Sequence, residues 1–172
     1  VGVEEHHASR ENGVPFAIRK RLTLEQLFKA VGEETGLPEF HVYVAASGDV
    51  NACDPDSGWS LLHLACEHMN ISLIQALADG GADLNAQNDH DGWTPLHTAV
   101  DIDTDSVWQA TQRESDFLTQ LTFSTTRLLL ALGADPTIAD HKGETPRDLA
   151  AHGGPEALAQ FDVLTRKPLP PR

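Results

Sequence analysis

From Ala30 to Gln112 the chain contains no lysine and no arginine, while that stretch holds 14 of its 26 aspartates and glutamates. The other 12 acids and all 12 bases lie outside it, so the formal net charge of -14 belongs to the middle of the chain. A field of that sign repels nucleic-acid phosphates and anionic lipid and draws in basic surfaces, which excludes nucleic acid and membrane as partners. Cysteine is scarce as well: Cys53 and Cys66 are too few for a disulfide framework and lack metal-site spacing. Both read as reduced thiols, with Cys66 in an apolar run and Cys53 beside a turn, and this usage points to a cytoplasmic protein. The first residue is Val1 rather than Met, which leaves export open. No apolar run approaches the roughly 18 to 20 residues of a membrane-spanning helix, and the N-terminal residues have no apolar segment of signal type.

The chemical motifs of enzymes are missing too. Gly58-Trp59-Ser60-Leu61-Leu62 fails as a nucleophile elbow because Leu62 stands where a closing glycine is required. Nine histidines include no His-Glu-x-x-His arrangement. Asp101, Asp103 and Asp105 begin like a calcium loop, but the sixth position is Ser106 and the twelfth Gln112, so the stretch reads as a solvated acidic turn. The expectation is a protein without enzymatic activity, metal or cofactor, with a metal-dependent enzyme as a remote alternative. The hydrophobic fraction of 40% is ample for one continuous core.

What the chain does have is a repeat. GWSLLHLAC at Gly58 to Cys66 returns as GWTPLHTAV at Gly92 to Val100, a period of 92 minus 58, or 34. Apolar stretches and Gly-Ala-Asp turns follow, at Gly81-Ala82-Asp83 and Gly133-Ala134-Asp135, and a third copy starts at Gly143-Glu144-Thr145-Pro146. Thr94 is placed to cap a helix whose first turn tolerates Pro95, since the amide that proline lacks would have no intrahelical partner. Leu61, Leu62, Leu64 and Ala65 make one apolar face, and Ile71, Leu73, Ile74 and Leu77 a second, giving two short antiparallel helices per unit. Moving the period backward puts Leu27, Phe28, Ala30 and Val31 on a first helix and Phe40, Tyr43 and Val44 on a second.

These blocks resemble the ankyrin signature, Gly-x-Thr-Pro-Leu-His-x-Ala with a Gly-Ala-Asp turn. The resemblance implies an all-α ankyrin-repeat solenoid of helix-turn-helix units with projecting β-hairpin fingers. It divides the chain into a flexible segment 1–17, four repeats over 18–51, 52–85, 86–137 and 138–164, and a Pro-rich tail 165–172. The outer two repeats have lost parts of the signature, as terminal caps do. Gly58, Gly92, Thr94, Pro95, His63 and His97 fall on signature positions, and the resemblance implies that the two histidines tie neighbouring repeats together through backbone hydrogen bonds.

Two departures stand out. The spacings Asn51 to Gly58 and Asn85 to Gly92 are one residue longer than the family pattern, which enlarges the first two fingers. Gly92 to Gly143 spans 51 residues, 17 more than the preceding 34, so an insertion lies at about 101–124. It contains Trp108, Phe117, Leu118, Leu121 and Phe123. The helical spacing of Phe117, Leu121 and Leu128 predicts that the second helix of this repeat is lengthened toward its N-terminus. Part of the insertion is expected to pack on the array, and the rest to form either a recognition element or a stabilising flap.

Trp59 and Trp93 occupy the same post-glycine place in consecutive repeats, so stacking is expected to set them side by side as hot-spot candidates; the alternative is local support for the enlarged fingers. Asp54, Asp56, Asp89, His90 and Asp91, with Asp49, form an acidic edge around them, and Trp108 completes the expected partner-binding set; Asp83, in its turn, reads as structural. An acidic rim with an aromatic centre fits a protein with a basic surface. The function expected is a non-catalytic binding module, an inhibitor or immunity-type protein that masks a basic partner. The alternative is a scaffold or adaptor that joins proteins without inhibition.

Overall fold

The computed structural model describes residues 23–32, 36–45, 48–112 and 123–166; of these, the side chains of 24, 32, 36, 37, 42 and 106–112 are outside the description. Eight helices appear among the described residues: α1 Leu24–Gly32, α2 Gly36–Ala45, α3 Leu61–Glu67, α4 Ile71–Asp79, α5 Pro95–Gln112, α6 Ser124–Leu132, α7 Pro146–His152 and α8 Pro155–Thr165. They alternate between two rows. α1, α3, α5 and α7 pack in succession along one row, and α2, α4, α6 and α8 along the other. This is the all-α solenoid expected.

Each unit is too small to bury its own apolar faces, so the core runs through the stack. Leu27 and Val31 from α1, Leu61, Leu62 and Ala65 from α3, Leu96, Ala99 and Val100 from α5, and Ala150 from α7 fill the inner row. Phe40, Leu73, Ile74, Leu77, Leu129 and Phe161 fill the outer row. Each buried leucine contributes about 2 kcal/mol of burial free energy, enough in sum to offset the ordering of short helices that are marginal alone.

One capping device recurs at the start of every inner helix. Ser60 and His63 form a reciprocal box at α3, and Thr145 and Asp148 form one at α7. Thr94 and His97 repeat it at α5. At α1 the Thr23 amide donates to Gln26 Oε1 at 3.1 Å while the Gln26 amide donates to Thr23 Oγ1 at 3.2 Å. The first box thus lies 60 minus 23, or 37, residues before the second, so the terminal repeat departs from the 34-residue register at its first helix. The sequence pattern had placed the right residues on α1 and α2 but not the cap.

The fingers are tighter than the β-hairpins expected. Among the described residues no strand forms, and one antiparallel bridge joins Cys53 and Ser60. Each finger closes instead through a tight turn in which one amide donates across it: Asp54 to the Trp59 carbonyl at 2.8 Å, Asn88 to that of Trp93 at 2.9 Å and Asp140 to that of Glu144 at 2.8 Å, with the Gly58 and Gly143 amides donating back to the Asp54 and Asp140 carbonyls at 2.9 and 3.0 Å. The first two loops carry one residue more than the third, as their spacing predicts.

The insertion corrects a sequence expectation. The inner helix α5 is the one lengthened, to 18 residues, while the outer helix α6 begins only at Ser124 after a non-helical Phe123. The reason lies in Asp103. α4 is capped by its own Asn70, whose side chain accepts from the Leu73 amide, whereas Phe123 offers α6 no such group. Asp103, carried past the end of an ordinary inner helix by the extension of α5, accepts from the Thr126 amide at 2.9 Å and caps α6 from the neighbouring helix. Asp101, Asp103 and Asp105 consequently lie on a helix, where residues two apart do not share a face. Phe123 is buried against the core; Phe117, Leu118 and Leu121 lie outside the described residues, as do 1–17 and 167–172.

Burial pushes the Asp103 carboxyl up, against hydrogen bonds from Thr126 and the Thr125 backbone. Asp103→Ala is expected to cost about 1 to 2 kcal/mol and to speed amide exchange first at the start of α6, while Asp103→Asn, which keeps a carbonyl acceptor, costs much less. Equal losses in the two variants would refute the capping role.

Candidate partner-binding surface

The finger edge is built by a residue that precedes each signature glycine. In the first described finger Asp54 Oδ1 accepts from the amides of Asp56 and Ser57 and from the Ser57 hydroxyl. In the second, Asn88 Oδ1 accepts from Asp91 and Gly92. In the third, Asp140 Oδ1 accepts from Lys142 and Glu144. Hydrogen bonds from the Ser57 amide and hydroxyl hold the Asp54 carboxyl below its ordinary range. At Asp140 burial acts upward, but the amides of Glu144 and Lys142 and the Trp93 indole outweigh it, and the carboxyl is held low.

Gly58 and Gly92 are required twice over, by backbone conformation and by space. Both have positive φ, +69° and +77°, and a β-carbon on either would meet the next finger's backbone nitrogen, Asp89 at 2.7 Å or His141 at 2.8 Å. Gly143 ends the series with open space around it. The fingers therefore stack backbone to backbone. Further contacts hold them together: Asn51 Oδ1 accepts from the Asp83 amide and Asn85 Oδ1 from the Asp135 amide, each at 2.8 Å. Asp83 is structural, as expected, its carboxylate accepting from the Asn85 amide.

His63 and His97 join finger to helix and repeat to repeat. The Thr94 amide donates to His97 Nδ1 at 3.1 Å, which fixes the ring proton on Nε2, and Nε2 donates to the Glu144 carbonyl of the next repeat at 3.1 Å. His63 does the same with the Ser60 amide at 3.2 Å and the Trp93 carbonyl at 2.9 Å. Both side chains are buried. In the last repeat Asp148 accepts from Thr145 but has no proton to pass onward, so the chemical ladder stops there.

A family profile for ankyrin repeats, in three copies, matches residues 24–108. The ankyrin repeat domain of Bcl-3, described as a unique member of the IkappaB protein family, superposes with a TM-score of 0.59 at 24% identity. That alignment covers 83% of this chain and 52% of the other, so the chain spans about half the length of that structure. A search of curated proteins finds no match. The chain is an ankyrin-repeat protein.

Ankyrin repeats are a protein-interaction fold rather than a catalytic one, and the array gathers most of the expected surface at the fingers. Asp56, Asp89 and His90 are exposed, while Asp54 and Asp91 are half-buried and organise their turns. The two tryptophans are half-buried, but their rings do not touch among the described residues. Each lies instead over the histidine of its own repeat, Trp59 on His63 with centroids 6.0 Å apart and Trp93 on His97 at 6.3 Å. Trp93 is further tied down, its indole nitrogen donating to Asp140 Oδ2 at 3.3 Å. The Trp108 side chain lies outside the described residues. Among those described, no group of three or more His, Cys, Asp or Glu side chains is placed to hold a metal. Burial pushes the Cys66 thiol up and also raises exposed Cys53, with Asp89 and Asp49 adding to it.

The sequence reading missed Asn88 and Asp140 as finger organisers, although a polar residue three or four positions before each glycine was the available signal.

Burial is the main cause that lowers the pKa of His63 and of His97, so the fold holds both neutral. The unfolded chain then takes up more protons below about pH 6.5, and the histidine contribution is complete above that pH and lost as pH falls below it. The loss is expected to approach about 1.4 kcal/mol per pH unit for each histidine within the window. Urea unfolding between pH 7.5 and 5 measures it, in an Asp103→Asn background because the raised Asp103 carboxyl acts in the opposite direction. Flat stability across that range would refute it.

Proposed function

We propose that this ankyrin array binds a protein with a basic surface through its acidic finger edge and masks that surface stoichiometrically. One observation carries the reading: Asp56 and Asp89 stand exposed on consecutive stacked fingers, beside half-buried Asp54 and Asp91, in a stretch with no lysine or arginine from Ala30 to Gln112. Nothing of opposite sign within that stretch neutralises the edge. The half-buried tryptophans supply apolar area at its centre, the combination from which binding hot spots are made.

The test is affinity capture of the intact protein's partner from its own cells, followed by association kinetics over a range of salt. Steering by the finger field predicts an association rate that falls at least tenfold between about 20 and 500 mM salt, because the Debye length shrinks to a few ångströms. A partner without a basic surface, or an association rate indifferent to salt, would overturn the electrostatic reading. Loss of the partner's own activity on binding separates masking from mere joining of two proteins.

A further inference from the structure

Two finger junctions share one register and differ in what the second finger offers the tryptophan of the first. Gly58 abuts the backbone of Asp89, and Gly92 abuts that of His141. Trp59 follows the first glycine and Asn88 precedes Asp89, just as Trp93 follows the second and Asp140 precedes His141. At the later junction Asp140 offers a second carboxylate oxygen, and Trp93 is fastened to it. At the earlier one the equivalent residue is Asn88. Its Oδ1 accepts two backbone amides, from Asp91 at 3.0 Å and Gly92 at 3.1 Å, so the amide cannot be turned round without setting donor against donor. Where Asp140 has an acceptor, Asn88 therefore has an N–H donor. That Nδ2 is buried in a residue only 2% exposed, and it has no hydrogen-bond partner. Trp59 Nε1 makes no hydrogen bond among the described residues either.

We propose that Trp59 Nε1 and Asn88 Nδ2 form an acceptor-capturing pair, which takes a main-chain carbonyl oxygen of the basic partner between the fingers that carry them. A buried donor left unpaired is destabilising, and an incoming acceptor relieves that penalty. Asp54, Asp56, Asp89 and Asp91 repel an anion there, which selects a neutral carbonyl over a carboxylate. Trp59, unlike Trp93, is not fastened to the next finger and is free to shift so that the shielded amide can be reached. This rests on the basic-partner reading and assigns the two tryptophans different work: Trp93 holds the stack and Trp59 meets the partner.

The experiment uses the full chain, 15N-labelled, with a hexa-arginine peptide as probe. In the wild type the Trp59 indole and Asn88 side-chain resonances move on peptide addition while the Trp93 indole stays put. Asn88→Asp supplies the missing acceptor, fastens Trp59, slows solvent exchange of its indole proton at least tenfold and weakens peptide binding several-fold, despite adding a negative charge. Asp54 and Asp140 already occupy the equivalent place, so this change is compatible with the fold. Trp59→Phe, which deletes one donor, gives a similar several-fold loss. If the wild type binds and Asn88→Asp binds equally or more tightly, charge alone drives binding and the donor pair is overturned while the basic-partner reading stands. Failure of the wild type to bind the peptide overturns both.

Discussion

His97→Ala is expected to lower the unfolding free energy by about 4 kcal/mol, among the largest losses a single substitution produces. The imidazole serves three backbone or hydroxyl groups at once: the Thr94 amide, the Thr94 hydroxyl and the Glu144 carbonyl. Its removal leaves buried polar groups unpaired, each costing about 1 to 3 kcal/mol, and opens a cavity where a fully buried ring stood. Asp148→Ala supplies the control. Asp148 caps α7 without reaching another repeat, so its loss should cost about 1 kcal/mol, typical of a cap. Equilibrium urea unfolding of the two variants decides. If His97→Ala costs no more than Asp148→Ala, the inter-repeat bond contributes nothing and the ladder is only a row of caps.

The second large effect separates the tryptophans. Trp59→Ala is expected to weaken partner binding by about 2 kcal/mol or more with little loss of stability, if the indole meets the partner as proposed. Trp93→Ala should instead lower stability by about 1 kcal/mol, the net worth of its bond to Asp140, and affect affinity less. Calorimetric titration with the captured partner, together with thermal melts, gives both numbers. Equal affinity losses with unchanged melting would mean that both rings form one hot spot and that the Asp140 tether is immaterial.

Much of the array was legible because its signature is local. Thr94, Pro95 and His97 specify a cap within four residues, and the 34-residue spacing of Gly58 and Gly92 specifies the stack. The capped start of α1 was hidden by the three-residue offset of Thr23 and Gln26 from that spacing. The lengthened α5 was hidden for a different reason. Phe117, Leu121 and Leu128 have helical spacing, but the break at Phe123 depends on burying its ring, and the cap of α6 depends on Asp103, 23 residues upstream. The finger surface was legible as charge and not as geometry: Trp59 and Trp93 look equivalent in sequence, and the difference between them comes from residues 88 and 140.

The sequence by itself determined the all-α repeat, the order of its units, the enlarged first two fingers, the two signature histidines and the sign of the surface field. The repeat and the order of its units follow from local patterning, the enlarged fingers and the histidines from the ankyrin resemblance, and the sign of the field from composition. Only the tertiary structure decided which helix of the third repeat was extended, which aspartate became a cap and which tryptophan was fastened. Each of those outcomes depends on a hydrogen-bond partner supplied by a neighbouring helix or finger, and backbone stacking alone brings that partner within reach.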